Sequence, residues 1–285
     1  MELETEWVDY DSPAGSVSAY LARPRAAGGP LPGILVFQEI WGVDGHIVDL
    51  VQRFAGAGYV AMAPDLFSLG GGRPPALEAG RVEQTKQFLN TIPSAEWTAI
   101  LGDNQRRAQA LGELPGDQGE LVGETLGVLF GQMRGQLETF VELGRAAFGF
   151  LRAHPLSAGR PVGATGYCLG GSVSARLGCA ERDLAAAVVY YGGPPEPDQV
   201  ATIRCPLRGF YGQDDPRIVE GLPAFAESLR AAGVDHELLV YPDTPHAFFN
   251  DTRASYRPES ARDAWGRTLA FFAQTLDPAP VAPVG

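Results

Sequence analysis

The stretch Gly166-Tyr-Cys-Leu-Gly-Gly171 constrains this chain more than any other. An apolar run, Val162-Gly-Ala-Thr-Gly-Tyr167, leads into it, and a segment with helical spacing, Gly171–Glu181, leads out. Glycines on both sides of Cys168 let a strand turn sharply into a helix, because the turn is tight and strand and helix pack closely behind it. A strand delivered straight into a helix calls for a layered α/β arrangement, with helices covering a sheet. A thiol at that bend also stands at a helix N-terminus, whose partial positive charge favours the thiolate. The other cysteines, Cys179 and Cys205, have no such setting and read as structural. Three cysteines without metal-type spacing make neither a disulfide framework nor a zinc site.

The remaining pattern agrees with that architecture. Glu6–Tyr10 and Ser16–Ala22, separated by Ser12-Pro-Ala-Gly15, predict a hairpin. Gly33–Phe37 and Tyr59–Ala63 are short, continuous apolar runs of the kind buried on both faces. The helical segment His46–Ala57 between them makes a parallel strand–helix–strand unit. From Ser68 to Leu151 no strand-like run occurs. Helices are predicted over Arg81–Leu89, Glu96–Leu111 and Glu120–Leu151, the last long and glycine-rich enough for two, as a helical insertion or extended crossover. Alternation then resumes, with strands at Leu184–Tyr190, Leu207–Tyr211 and His236–Tyr241. Helices follow at Gly221–Ala232 and Glu259–Leu276. The expectation is one domain over residues 1–285, a doubly wound, mostly parallel sheet with helices on both faces and a frayed tail at 277–285.

Charge and composition narrow the function. A formal net charge of -12 leaves nothing to neutralise phosphates, which excludes nucleic acid and anionic membrane as partners. At 45% apolar residues the chain has the composition of a soluble globular protein. Met1-Glu-Leu-Glu-Thr-Glu6 is acidic where a signal peptide is basic and then apolar. No apolar stretch is long enough to span a bilayer. These features predict a cytoplasmic protein with reduced thiols.

The segment around Cys168 is the pattern G-x-S-x-G of the α/β-hydrolase fold with cysteine for serine. In that fold the acid follows the nucleophile and the histidine comes last. After the strand Leu207–Tyr211 comes Gly212-Gln-Asp-Asp-Pro-Arg-Ile218, which resembles the loop carrying the acid; its spacing selects Asp215 over Asp214. His246 lies in Tyr241-Pro-Asp-Thr-Pro-His-Ala-Phe-Phe249, beyond a strand and at the edge where open α/β sheets gather catalytic groups. Of the other histidines, His46 opens a helix, His154 precedes a proline and His236 starts a strand. Glu39, in Val36-Phe-Gln-Glu-Ile-Trp-Gly42, is a carboxylate at an apolar strand end, where it needs a partner. Backbone N–H groups of Ile40 and Leu169 are placed to form an oxyanion hole.

Gln38-Glu-Ile-Trp-Gly42, Ala63-Pro-Asp-Leu-Phe67, Gly166-Tyr-Cys-Leu-Gly-Gly171 and Pro245-His-Ala-Phe-Phe249 together resemble the dienelactone hydrolase (carboxymethylenebutenolidase) family, over Gly33 to Phe272. The resemblance implies a Cys168–His246–Asp215 triad, and a role for Glu39 beside the thiol in its deprotonation. It implies Arg81 as a carboxylate-binding residue, with Trp41 and Phe248 as further substrate contacts. Two departures stand out. Where dienelactone-cleaving members carry a serine and then an arginine after the histidine, this chain has Ala247 and Asn250, and its helical block is longer than in compact members. The reaction type therefore carries over, and the dienelactone substrate does not.

The expected activity is hydrolysis of a small carboxylic ester or lactone through an acyl-enzyme, with no metal or organic cofactor, by a monomer or small homo-oligomer. The alternatives are a redox-sensitive thiol protein and a non-catalytic module on the same fold.

Overall fold

The computed structural model describes residues 2–92 and 103–277. Eight strands form one sheet in the order β1-β2-β4-β3-β5-β6-β7-β8. β1 (Leu3–Ser12) and β2 (Gly15–Pro24) are the predicted hairpin, and β2 runs antiparallel to β4 (Val60–Pro64). The rest is parallel: β3 (Gly33–Phe37), β5 (Val162–Tyr167), β6 (Ala186–Tyr190), β7 (Leu207–Gly212) and β8 (His236–Tyr241).

The apolar runs are continuous because the central strands are covered on both faces. Ile34 and Val36 of β3 point into a core with α1 (Gly45–Gly56) and Phe272; Leu35 and Phe37 point into the opposite core. The helix Pro258–Leu276 shares the α1 face. The helices Leu137–Ala153 and Leu169–Ala180 cover the other.

The long helical block divides in two. α2 (Ala79–Asn90), α3 (Asn104–Gly112) and α4 (Gln118–Gly135) precede α5 (Leu137–Ala153), so the predicted helix over Glu120–Leu151 is indeed two. α5 is the crossover to β5: a Cβ on Gly144 would stand 3.1 Å from the Phe37 ring, so this helix lies directly on the sheet. Residues 93–102 of the helix expected over Glu96–Leu111, and residues 278–285 of the expected tail, lie outside the described residues. Among the described residues, no helix is long and apolar enough to cross a membrane.

Candidate active site

Because β3, β5, β6, β7 and β8 run the same way, the residues that follow them emerge at one edge of the sheet. Glu39 follows β3, Cys168 β5, Tyr191 β6, Asp215 β7 and His246 β8.

Cys168 sits between β5 and α6 (Leu169–Ala180) at φ 55° and ψ -112°. A cysteine in left-handed backbone costs on the order of 1–3 kcal/mol and survives only where its surroundings impose it. They do so here. The Cys168 N–H donates to the Tyr190 carbonyl at 3.0 Å, and Gly170 N–H donates to the Gln38 carbonyl at 2.9 Å. A Cβ on Gly166 would lie 1.9 Å from the Gly170 carbonyl oxygen, and one on Gly170 only 2.2 Å from that of Phe37. Backbone occupies the space on both sides of the thiol, so glycine is the one residue that fits.

The Gly170–Gln38 bond also brings together the loops carrying Leu169 and Ile40, the residues expected to donate backbone N–H groups. Leu169 is buried at the first position of α6, and Ile40 is partly buried in the turn after β3.

His246 Nδ1 lies 2.5 Å from Asp215 Oδ2. Asp215 is buried whereas Asp214 is exposed. Burial alone would keep the imidazole neutral. The negative charge of Cys168, hydrogen bonds with Asp215 and Cys168, and the Asp215 charge outweigh it and raise the His246 pKa to about 10. The imidazole is thus under the influence of both the carboxylate and the sulfur.

Glu39 is 3% exposed and fully partnered. Its Oε1 accepts from the Tyr191 hydroxyl at 3.1 Å, and its Oε2 from Asn250 Nδ2 at 2.9 Å. Burial, then the nearby charges of Glu39, Tyr167 and Cys168, push the Tyr191 phenol well above its ordinary range, so it stays a neutral donor. The same ring stands edge-on to His246 at 5.1 Å between centroids. Tyr191 (φ 41°) and Ala247 (φ 59°) share left-handed backbone with Cys168, which concentrates strain at this edge.

The substrate contacts expected from sequence fare differently. Arg81 is engaged within the helical block, where its Nη2 donates to the Leu121 carbonyl at 2.6 Å and to Glu124 at 2.8 Å, because α2 packs along α4. Phe248 is fully buried among the rings of Tyr191 and Tyr241 and is a core residue with no surface for a ligand. Trp41 is buried at 3% exposure, with the Arg253 guanidinium 5.2 Å from its ring centroid. Sequence reasoning missed Tyr191 and Arg253, and it read Asn250 only as a departure. Tyr190-Tyr-Gly-Gly193 at the end of a buried strand was a usable signal for Tyr191. Arg253 had none, since only the folded loop brings it to Trp41.

A model of the dienelactone hydrolase family matches residues 17–276. The chain belongs to the dienelactone hydrolase family. A protein of Saccharolobus solfataricus named "Putative carboxymethylenebutenolidase" is 30% identical over 263 residues, spanning 92% of this chain and 95% of that one. A protein of Escherichia coli K12 with the same name is 30% identical and covers 92% of this chain and 84% of its own. Among solved structures, a "Putative Dienelactone Hydrolase" from Klebsiella pneumoniae superposes with a TM-score of 0.67 at 28% identity, over 96% of this chain and 100% of that one. An acylaminoacyl peptidase of Pyrococcus horikoshii, at 14% identity and a TM-score of 0.62, shares the fold alone; it covers 99% of this chain and 43% of that one. The architecture of this dienelactone hydrolase family member is the α/β-hydrolase fold, and the chain is a hydrolase of that family.

Proposed function

We propose that this chain hydrolyses carboxylic esters or lactones by acyl transfer to Cys168, with His246 as acid and base and Asp215 as its orienting group. The observation that carries the reading is the 2.5 Å His246–Asp215 bond, together with the influence of the Cys168 sulfur, held on a strained bend, on the same imidazole. The Cys168 sulfur, as thiolate beside a protonated His246, then attacks the carbonyl carbon, and the Ile40 and Leu169 N–H groups receive the oxyanion formed on the carbonyl oxygen. Each such donor is typically worth about 3 kcal/mol of barrier. His246 protonates the departing alkoxide, forming the thioester, and then takes a proton from the water that releases the acid. Glu39, held by the Tyr191 hydroxyl and the Asn250 amide, is assigned a part in deprotonating the thiol. With Arg81 committed to α4, the reading takes in neutral esters as well as carboxylate-bearing lactones. The free cysteines fit a reducing compartment such as the cytoplasm.

Turnover of p-nitrophenyl acetate by Cys168→Ala tests the reading. The variant should remain folded, with the wild-type circular dichroism spectrum, and lose activity; undiminished turnover refutes the assignment. Iodoacetamide labelling of Cys168 in the wild type should abolish activity in parallel. Labelling with no esterase activity to lose would instead favour the redox-thiol alternative.

A further inference from the structure

The turn after His246 sends its side chains to different places. Asn250 is fully buried and donates to Glu39, while its Oδ1 accepts from Thr252 N–H at 3.0 Å and from the Thr252 hydroxyl at 2.7 Å. Those donors fix the amide with its Nδ2 toward Glu39. Asp251 turns the opposite way, to α1. Its Oδ2 receives Arg53 Nη2 at 2.8 Å, and its Oδ1 lies 3.6 Å from Nδ1 of the buried His46. Arg53 is itself braced one turn back by Asp49 at 2.6 Å. α1 is a firm anchor, because Asp44 caps its first turn and its inner face is packed under the sheet. His46 also stands edge-on to the ring of Tyr167, the residue before Cys168, at 6.1 Å.

We propose that Asp251 is a positioning residue: gripped by Arg53 and faced by His46, it holds the turn so that Asn250 keeps Glu39 in place at the catalytic edge. Nothing in the triad geometry requires this contact, and the proposal rests on the Cys168 reading above. The physical case is one of leverage. The Arg53 and Asp251 side chains are 40% and 37% exposed, so as an ion pair they contribute little to stability. A reacting geometry misplaced by 1 Å, however, can cost on the order of 100-fold in rate. Adjacent residues share one backbone, so movement at Asp251 moves Asn250.

The test compares Asp251→Asn, Arg53→Met, Arg53→Lys, Asn250→Ala and the double variant Asp251→Asn/Asn250→Ala, with p-nitrophenyl acetate as substrate and thermal melting in parallel. Asp183→Asn, which removes an exposed pair with Arg152, serves as control. Asp251→Asn and Arg53→Met should lower kcat by about tenfold or more, with KM and melting temperature close to wild type. Arg53→Lys keeps the cation and should restore most of the rate. The double variant should be no slower than Asn250→Ala, because both changes release the same carboxylate. Wild-type kcat in Asp251→Asn overturns the proposal, as do losses that multiply in the double variant or that follow melting temperature. Cys168→Ala run alongside separates the failures: if it stays active, the catalytic reading falls, whereas its inactivity beside an unaffected Asp251→Asn removes only the positioning role.

Discussion

Gly166→Ala is the most exacting probe of how the sulfur is held. A Cβ there would lie 1.9 Å from the Gly170 carbonyl oxygen and 2.2 Å from its carbon, against the 3.4 Å at which ordinary contact begins. The obstacle is backbone, so no rotamer can relieve it. The helix start must move by about 1.5 Å, or bond angles must open by amounts that cost about 4 kcal/mol at 15°. Gly170 cannot simply retreat, since its own Cβ position is only 2.2 Å from the Phe37 carbonyl. The expected result is a loss of about 3–5 kcal/mol of stability, and in any surviving fold a fall in kcat of about 100-fold from the displaced thiol. Urea unfolding followed by circular dichroism reads the first, and ester turnover the second. Gly127→Ala is the internal control: it lies on the exposed side of α4 with nothing within 4 Å of a Cβ. That change should stabilise by about 0.5–1 kcal/mol through helix propensity. If Gly166→Ala retains wild-type stability and rate, the close packing behind Cys168 is wrong and the argument for the bend goes with it.

Further outcomes follow from the same geometry. Asp215→Asn leaves the volume of a buried side chain unchanged but replaces the acceptor of the 2.5 Å bond, so kcat should drop by about 10³–10⁴ with little change in fold; a loss below tenfold would remove Asp215 from its role. His246, at about 10 in the folded chain against 6.5 as an ordinary imidazole, binds its proton more tightly when folded. Its contribution to stability is therefore complete below about pH 6.5 and disappears as pH rises to about 10. Urea titrations of the wild type and His246→Asn across that window should converge at the alkaline end, and a constant gap would contradict the raised pKa.

The linear chain determined the layered fold and the order in which the candidate site residues follow its strands. Doubly buried strands must be continuously apolar, and a glycine-flanked cysteine between strand and helix has few other uses. The order of the strands placed Asp215 after β7 and His246 after β8 at one edge of the sheet, and the fold brings these two side chains within 2.5 Å of each other. Burial and partners were decided only in three dimensions. Phe248 and Trp41 looked like substrate contacts in a motif, yet one became core and the other lies beneath Arg253. Arg81 was drawn away by α4, whose packing no local pattern announces. Asn250 looked like a lost charge until folding set it against Glu39, 211 positions away along the chain. Local sequence governs backbone conformation and periodicity, whereas hydrogen-bond partners so distant along the chain exist only once the sheet has aligned its strand ends.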